Sequence, residues 1–466
     1  MTEDNSKHEF GRRKFLRTTG AVGLAATAGV GATSGSAAAV EVEEPAQWTE
    51  EMVAEIELTE ENTAPYLDEE PTQIAEEAGY WVWDTWPLRN RDGSIAVIDG
   101  WQIIFSLVAD KSRPEIDVPG DRHNYARVGY FYSRAGKSEG PNGWQFGGEV
   151  FDEDAFLGNQ TWAGSAMYDQ DEEQIYHFYT AAEALPDARQ RLALAKGATV
   201  ETGPQDVTVT ESESHHILAE ADGEMYEQLE DSSGIITAFR DPWYFEHPET
   251  GEDWMIFEGN TPTENDNSDS PLNYNGNIGA AKATSEDLTE WELKPPIFEA
   301  VGVSQQTERP HFIFQDDKWY LFFITHEFTY APQLWSEGGR FKKEGKPPGP
   351  EALHGFAADG LYDSDMEPLN GSSLVVANPE KAPFQAYSWL AMPHGSGSVV
   401  ESFVNFQDVD TLGLPGDELK EAFGGTLAPS LKVDIDGTDT SIKTELKDGQ
   451  FPASVGARSR GNGRNS

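Results

Sequence analysis

Three acidic residues lie in settings that suit chemistry on a sugar. Asp84 falls within Trp81-Val-Trp-Asp-Thr-Trp-Pro87, an acid enclosed by three tryptophans. Asp241 falls within Phe239-Arg-Asp-Pro-Trp243, and Glu308 within Gln305-Gln-Thr-Glu-Arg-Pro310. Aromatic rings stack on the apolar face of a sugar, while a carboxylate beside them meets its hydroxyls or its anomeric carbon. Glycosyl transfer with retention needs a nucleophilic carboxylate on one side of the scissile bond and a proton donor on the other. Environment divides those roles: a hydrogen-bonded, charge-assisted acid stays ionised, and a desolvated one keeps its proton. The flanking Arg240 and Arg309 leave the assignment open on neighbours alone. A single Asp-Pro or Glu-Arg-Pro is more often a turn or a surface ion pair, so the three acids carry meaning only as an ordered set.

Other chemistry finds little support. The ten histidines include the pair His215-His216, but none has His-x-x-x-His spacing, and the pair reads as part of a surface strand. Gly-Ser-Gly-Ser from Gly395 lacks both Gly-x-Ser-x-Gly and a phosphate-loop lysine, and reads as a turn. Without cysteine there are no disulfides, thiolate metal sites or cysteine nucleophile. A formal charge of -49 repels nucleic acid and anionic membranes, so neither is an expected partner. Aromatic residues make up 11% of the chain, with 13 Trp, which contradicts disorder. The composition fits a folded protein in concentrated salt, where screening shortens and self-repulsion weakens.

The elements that must position these acids are mostly short strands. Trp101-Gln-Ile-Ile-Phe-Ser-Leu-Val, Gln174-Ile-Tyr-His-Phe-Tyr-Thr, Trp254-Met-Ile-Phe-Glu-Gly and Lys318-Trp-Tyr-Leu-Phe-Phe-Ile-Thr are rich in aromatic and β-branched residues. Ile95-Ala-Val-Ile reads the same way, and Phe312-Ile-Phe pairs with Trp319-Tyr-Leu-Phe-Phe as a hairpin. A helical turn or two is expected only over Asp417 to Ala422. Hairpins at this density over more than 300 residues predict an all-β fold, either a propeller or a very large sandwich. Ahead of them, Arg12-Arg13-Lys14-Phe15-Leu16 precedes a Gly/Ala-rich run and the small residues Ser34 to Ala39. Residues 1–39 thus resemble a twin-arginine export signal, too short and too poor in large apolar residues for a membrane span, so the protein is expected outside the cell. An acidic lead-in over 40–77 is expected to wrap the surface, followed by the main domain over 78–455 and a frayed tail over 456–466.

Taken in order, the three acidic motifs resemble those of the fructansucrases, the levansucrases and inulosucrases of glycoside hydrolase family 68. Trp83-Asp84-Thr85-Trp86-Pro87 is similar to the family's nucleophile motif, Arg240-Asp241-Pro242 to its transition-state motif, and Thr307-Glu308-Arg309-Pro310 to its acid/base motif. Thr325-His-Glu-Phe-Thr-Tyr-Ala331, Ala386-Tyr-Ser-Trp-Leu-Ala-Met-Pro393 and Phe423-Gly-Gly-Thr-Leu-Ala-Pro429 extend the likeness along nearly the whole mature chain. The resemblance implies a five-bladed β-propeller with a deep axial pocket, in a halophilic, haloarchaeal-type member. It implies a fructosyltransferase with sucrose as donor, a growing fructan, sucrose or water as acceptor, no cofactor, no metal and a monomeric chain. It casts Asp84 as nucleophile, Glu308 as acid/base and Asp241 as the stabiliser of the fructosyl cation. Trp83, Trp162, Arg240, Gln306, Arg309, His326 and Tyr387 become its sugar-binding residues.

Three departures stand out. Ala163 replaces a serine whose hydroxyl usually supports the nucleophile, and Ser165 is not an assured substitute. Trp389 stands where many relatives have His, a change expected on the acceptor path. Gln305 replaces an Asp of a structural calcium site, so calcium is not expected. Linkage type is not written in the triad; salt-adapted relatives tilt the expectation toward inulin over levan. A secreted invertase on the same fold and a non-catalytic sugar-binding propeller are the alternatives, and the latter has no need of three placed acids.

Overall fold

The structure, a computed structural model, describes residues 44–452 apart from 69–73, 76–77, 138–142, 154, 186–187, 233, 235, 264–269, 336–349 and 408–413. The expected export signal over 1–39 and the tail over 456–466 lie outside the described residues.

Strands dominate, as the alternating aromatic and β-branched runs require. Turn residues close the hairpins. Between Glu308–Gln315 and Lys318–Thr325 the two-residue loop is Asp316-Asp317, both at positive φ (53° and 61°), the backbone of a type I′ turn matched to strand twist. Gly395-Ser396 similarly turns Ala386–His394 into Gly397–Phe406. Gly416–Ala422 forms the short helix expected near Asp417. Ile95-Ala-Val-Ile is not a strand: Ile95 and Ile98 make only isolated bridges within the loop before Trp101. A four-residue apolar run beside Asp99-Gly100, both at positive φ, turns before it can pair further.

One eight-stranded sheet contains two antiparallel meanders. The first runs Tyr80–Asn90, Trp101–Asp110, Arg127–Arg134 and Gln145–Glu149; the second runs Gln160–Asp169, Gln174–Ala182, Gln190–Ala198 and Ser214–Ala219. They join only through a short parallel pairing of Leu88–Asn90 with Ala166–Tyr168. His215 and His216 lie on the outermost strand of the second meander. Three further sheets begin at Arg240–Glu246, Glu308–Gln315 and Ala386–His394 and also run outward by antiparallel neighbours. The five opening strands neighbour one another in a cycle, with Tyr80–Asn90 touching both Gln160–Asp169 and Ala386–His394.

The lead-in does more than lie on the surface. Ala46–Gln47 extends a sheet by pairing parallel with Phe298 and Glu299. Trp48 is 1% exposed, with its ring 5.3 Å from Phe323 and 4.6 Å from His354. Thr63 bridges to Ala377. A tryptophan buried to this degree anchors the segment by about 3–5 kcal/mol on the scale of Trp→Ala substitutions.

Candidate active site

Each opening strand carries the same irregularity at the same height. Trp83 pairs with Leu107 and Trp86 with Phe105, so two residues, Asp84 and Thr85, face the single residue Ser106. One-residue shifts of this kind recur between Trp162 and Gly164, Arg240 and Trp243, Glu308 and His311, and Tyr387 and Leu390. A bulge re-aims the side chains around it. Here it sets two consecutive residues of each strand at one pocket, which nine of the ten line. The first places hold Trp83, Trp162, Arg240, Glu308 and Tyr387. The second places hold Asp84, Ala163, Asp241, Arg309 and Ser388. Four of those five second residues have positive φ: Asp84 52°, Asp241 59°, Arg309 49° and Ser388 62°. Each such conformation costs on the order of 1–3 kcal/mol and persists only where surrounding contacts impose it.

Those contacts run from bulge to bulge. The Arg309 guanidinium donates from Nη2 to the Thr85 carbonyl at 2.6 Å and from Nη1 to the Ser388 carbonyl at 2.9 Å. The Arg309 amide donates to Asp241 Oδ2 at 3.1 Å. Thr180 Oγ1 donates to the Ala163 carbonyl at 3.0 Å and accepts from the Asp241 amide at 2.9 Å.

The resulting pocket encloses about 550 Å³, and all ten residues expected at the site line it: Trp83, Asp84, Trp162, Arg240, Asp241, Gln306, Glu308, Arg309, His326 and Tyr387. Arg240 sits at the centre of the charge. Its Nε donates to Glu258 Oε2 at 2.6 Å, its Nη2 donates to Glu308 Oε1 at 2.6 Å, and Asp241 Oδ2 lies 3.9 Å from Nε. Tyr387 donates its hydroxyl to the other Glu308 oxygen. Burial pushes the Asp84, Asp241 and Glu258 carboxyls upward, against the pull of Arg309 on Asp84 and of Arg240 on the other two. Burial thus disfavours the charged form of each acid, and the neighbouring arginines are what favour its ionisation. Burial alone would lower His326, but Glu351, 2.7 Å from its Nδ1, and Glu308 outweigh it and leave it raised.

Aromatic surfaces complete the walls. His123 lies edge-on between Trp83 and Trp162, with ring centroids 5.8 and 6.3 Å away, and its carbonyl accepts from Trp162 Nε1 at 2.9 Å. Burial, reinforced by Arg122, holds the His123 imidazole well below its ordinary range. On the Glu308 side, His326 stacks between Tyr387 at 3.8 Å and the exposed Phe328 at 4.9 Å.

The three sequence departures acquire positions. Ser165 does not face Asp84: its hydroxyl donates to the Pro242 carbonyl at 2.8 Å and accepts from the Tyr244 amide at 2.9 Å. The hydroxyl that favours the charged form of Asp84 is instead that of Ser388, second to the Arg309 charge. Trp389 is buried behind Tyr387, 6.0 Å away at 71°, and is not among the residues lining the pocket. Gln305 donates from Nε2 to the Ile236 carbonyl at 2.8 Å. Sequence reasoning missed Glu258, Glu351, Arg122 and His123. Glu258 had a signal, since it is the acid ending the apolar run Trp254-Met-Ile-Phe. Glu351 sits in a loop, and Arg122 and His123 in the short 3-10 helix Pro119–Tyr125, and no local pattern encodes their approach to the pocket.

With the geometry in place, comparison with known proteins identifies the class. The chain belongs to the levansucrase/invertase family, whose model matches residues 38–452. It is 36% identical over 394 residues to an extracellular sucrase of Zymomonas mobilis, covering 80% of this chain and 87% of that protein. It is 33% identical to a levansucrase of Rahnella aquatilis over 84% of this chain and 92% of the relative. Among solved structures, an inulosucrase from Halalkalicoccus jeotgali bound to kestose superposes with a TM-score of 0.78 at 38% identity, covering 89% of this chain and 98% of that one.

Proposed function

We propose that the protein cleaves sucrose and transfers its fructosyl unit to a growing fructan through a covalent fructosyl-enzyme. One observation carries this reading: Asp84, Asp241 and Glu308, far apart in the chain, line a single pocket whose size suits a small saccharide. Asp84 attacks the fructosyl anomeric carbon as the bond to the glucosyl oxygen breaks, and Glu308 gives that oxygen a proton. The Glu308 carboxylate then takes the proton of an acceptor hydroxyl, which attacks the same carbon and releases Asp84. Asp241 faces the cation that forms between these states. Arg240, shared by Glu258 and Glu308, orients the acid/base and neutralises part of the cluster. Trp83 and Trp162 offer the rings on which a sugar stacks.

The acceptor side is the stack of Tyr387, His326 and Phe328. Inulin-type linkage is the preferred reading, supported by the likeness to the kestose-bound inulosucrase. Five blades around an axial pocket are supported by the five meanders and the cyclic neighbourhood of their opening strands. A monomer suffices, since one chain supplies every site residue named here. Export is supported by the extracellular relative, and salt adaptation by the charge of -49.

Incubation with sucrose alone tests the whole reading. Glucose is expected in excess over free fructose, with a polymer whose linkages NMR assigns. Equal glucose and fructose without polymer establishes the secreted invertase instead, and no turnover at all leaves a sugar-binding propeller. Repeating the assay across salt concentrations checks whether lower water activity shifts the balance from hydrolysis to transfer; a flat ratio removes that effect.

A further inference from the structure

Three residues after the first place of each bulge, the opening strand of each meander is paired with a residue of the second strand. In four meanders that residue is Phe105, Phe178, Ile256 or Phe322, and in the fifth it is Glu401, opposite Leu390. A carboxyl thus occupies a place the fold otherwise fills with large apolar side chains. Glu401 is 0% exposed, and neither of its oxygens has a hydrogen-bond partner among the described residues. The charged groups that face it are Arg309 and Asp84.

An unpaired carboxylate is among the least tolerable groups in a protein interior. Burial accordingly holds the Glu401 carboxyl well above its ordinary range, against the attraction of Arg309 and with the repulsion of Asp84. The neutral form has a specific consequence. Arg309 ties the Asp84 bulge to the Tyr387 bulge through the Thr85 and Ser388 carbonyls. A charged Glu401 would compete for that guanidinium and would add a second anion beside the nucleophile.

The neutral acid also weakens the fold. A carboxyl whose folded pKa is raised contributes stability that is complete below its unfolded pKa and is lost as pH rises through the folded one. At neutral pH a leucine here avoids that loss. A residue that lowers stability beside a reactive group is the pattern expected where activity and stability trade against each other.

We propose that Glu401 is a positioning residue for Asp84: a neutral carboxylic acid whose dipole, without a hydrogen bond, steadies the Arg309 guanidinium and leaves its charge to the nucleophile. The inference rests on Asp84 being the nucleophile, which Asp84→Asn tests separately by loss of glucose release. The experiment compares full-length wild type, Glu401→Leu and Glu401→Gln by chemical unfolding from pH 5 to 8 and by glucose release from sucrose. Glu401→Leu is expected to gain stability over wild type, with the folding equilibrium improving by up to about tenfold per pH unit while wild type holds its proton. Its kcat is expected to fall about tenfold or more with KM within about threefold, because the loss falls on the chemical step and not on sucrose binding. Glu401→Gln, neutral and isosteric, is expected to share the stability trend and restore kcat to within about threefold of wild type. Wild-type kcat in Glu401→Leu overturns the positioning role. A stability difference that does not grow with pH in Glu401→Gln, the variant least exposed to folding failure, overturns the neutral acid. If Asp84→Asn stays active, the nucleophile assignment falls instead, whichever way the Glu401 variants behave.

Discussion

The bulges at Trp162-Ala163-Gly164 and Arg240-Asp241-Pro242 are one backbone device with opposite contents. Both insert one residue at the same height of an opening strand, and Thr180 Oγ1 bonds to both, accepting from Asp241 and donating to the Ala163 carbonyl. At Ala163 the device is nearly mute: φ is not positive, there is no charge, and Gly164 is needed because a Cβ there would meet the Phe178 carbonyl oxygen at 2.0 Å. At Asp241 the same geometry is strained and carries an acid beside an arginine shared by two glutamates. The bulge supplies direction and the residue in it supplies chemistry. Repetition around the fold then offers ten bulge places, nine of which line the pocket, and acids and arginines fill five of them.

Substitutions that empty the charged places break this comparison most severely. Asp84→Asn keeps the bulge and removes the proposed nucleophile, so glucose release from sucrose is expected to drop by about 10⁴-fold, on the scale of lost nucleophiles elsewhere. A loss below tenfold would mean that position, not charge, sets the rate. Glu308→Gln removes the proposed proton donor and is expected to lower kcat by about 10²- to 10⁴-fold. A substrate whose leaving group needs no proton should recover most of the first step, and failure to do so would move the acid role elsewhere. Glu258→Gln touches no substrate but frees one side of Arg240, and a kcat loss of about 10²-fold is expected from the displaced guanidinium. The harsher Glu258→Ala leaves a buried charge half-paired and should cost about 3–5 kcal/mol in chemical unfolding. Unchanged stability there would show that Arg240 does not depend on this partner.

The sequence made the acids legible because each is bracketed by residues with a structural reason to be adjacent. Pro242 and Pro310 fall within their bulges, where no ladder donor is wanted, and tryptophans flank Asp84 in a strand buried on both faces. Alternating aromatic and β-branched runs likewise predict the strands, since that period needs only local information. What stayed hidden was set by register between distant segments. Glu258 reads as one more strand residue until pairing places it opposite Arg240. Glu351 reads as part of a loop until it meets His326 across 25 positions. Trp48 sits in a stretch so acidic that solvation is the natural reading, yet Phe323 and His354 bury it. Ser388 shows the same limit, because its tie to Asp84 joins the first meander to the last.

That tie gives the finest test of the comparison between a mute bulge and an active one. In the fructansucrases that this chain resembles, the place of Ala163 usually holds a serine supporting the nucleophile. Here the Ser388 hydroxyl is what favours the charged form of Asp84 beside the Arg309 charge, while Ser165 is committed to Pro242 and Tyr244. A hydrogen bond to a charged group contributes about 1.5–3 kcal/mol, so Ser388→Ala should lower kcat by about tenfold or somewhat more. Ala163→Ser adds a second hydroxyl to a nucleophile already served, and its expected effect is under about threefold. The double variant decides between two explanations. If the two places are interchangeable sources of one hydroxyl, Ala163→Ser in the Ser388→Ala background recovers most of the lost rate. If Ser388 matters mainly because its carbonyl and hydroxyl hold Arg309, the double variant stays as slow as Ser388→Ala alone, and support for Asp84 then comes from the cation and not from the hydroxyl.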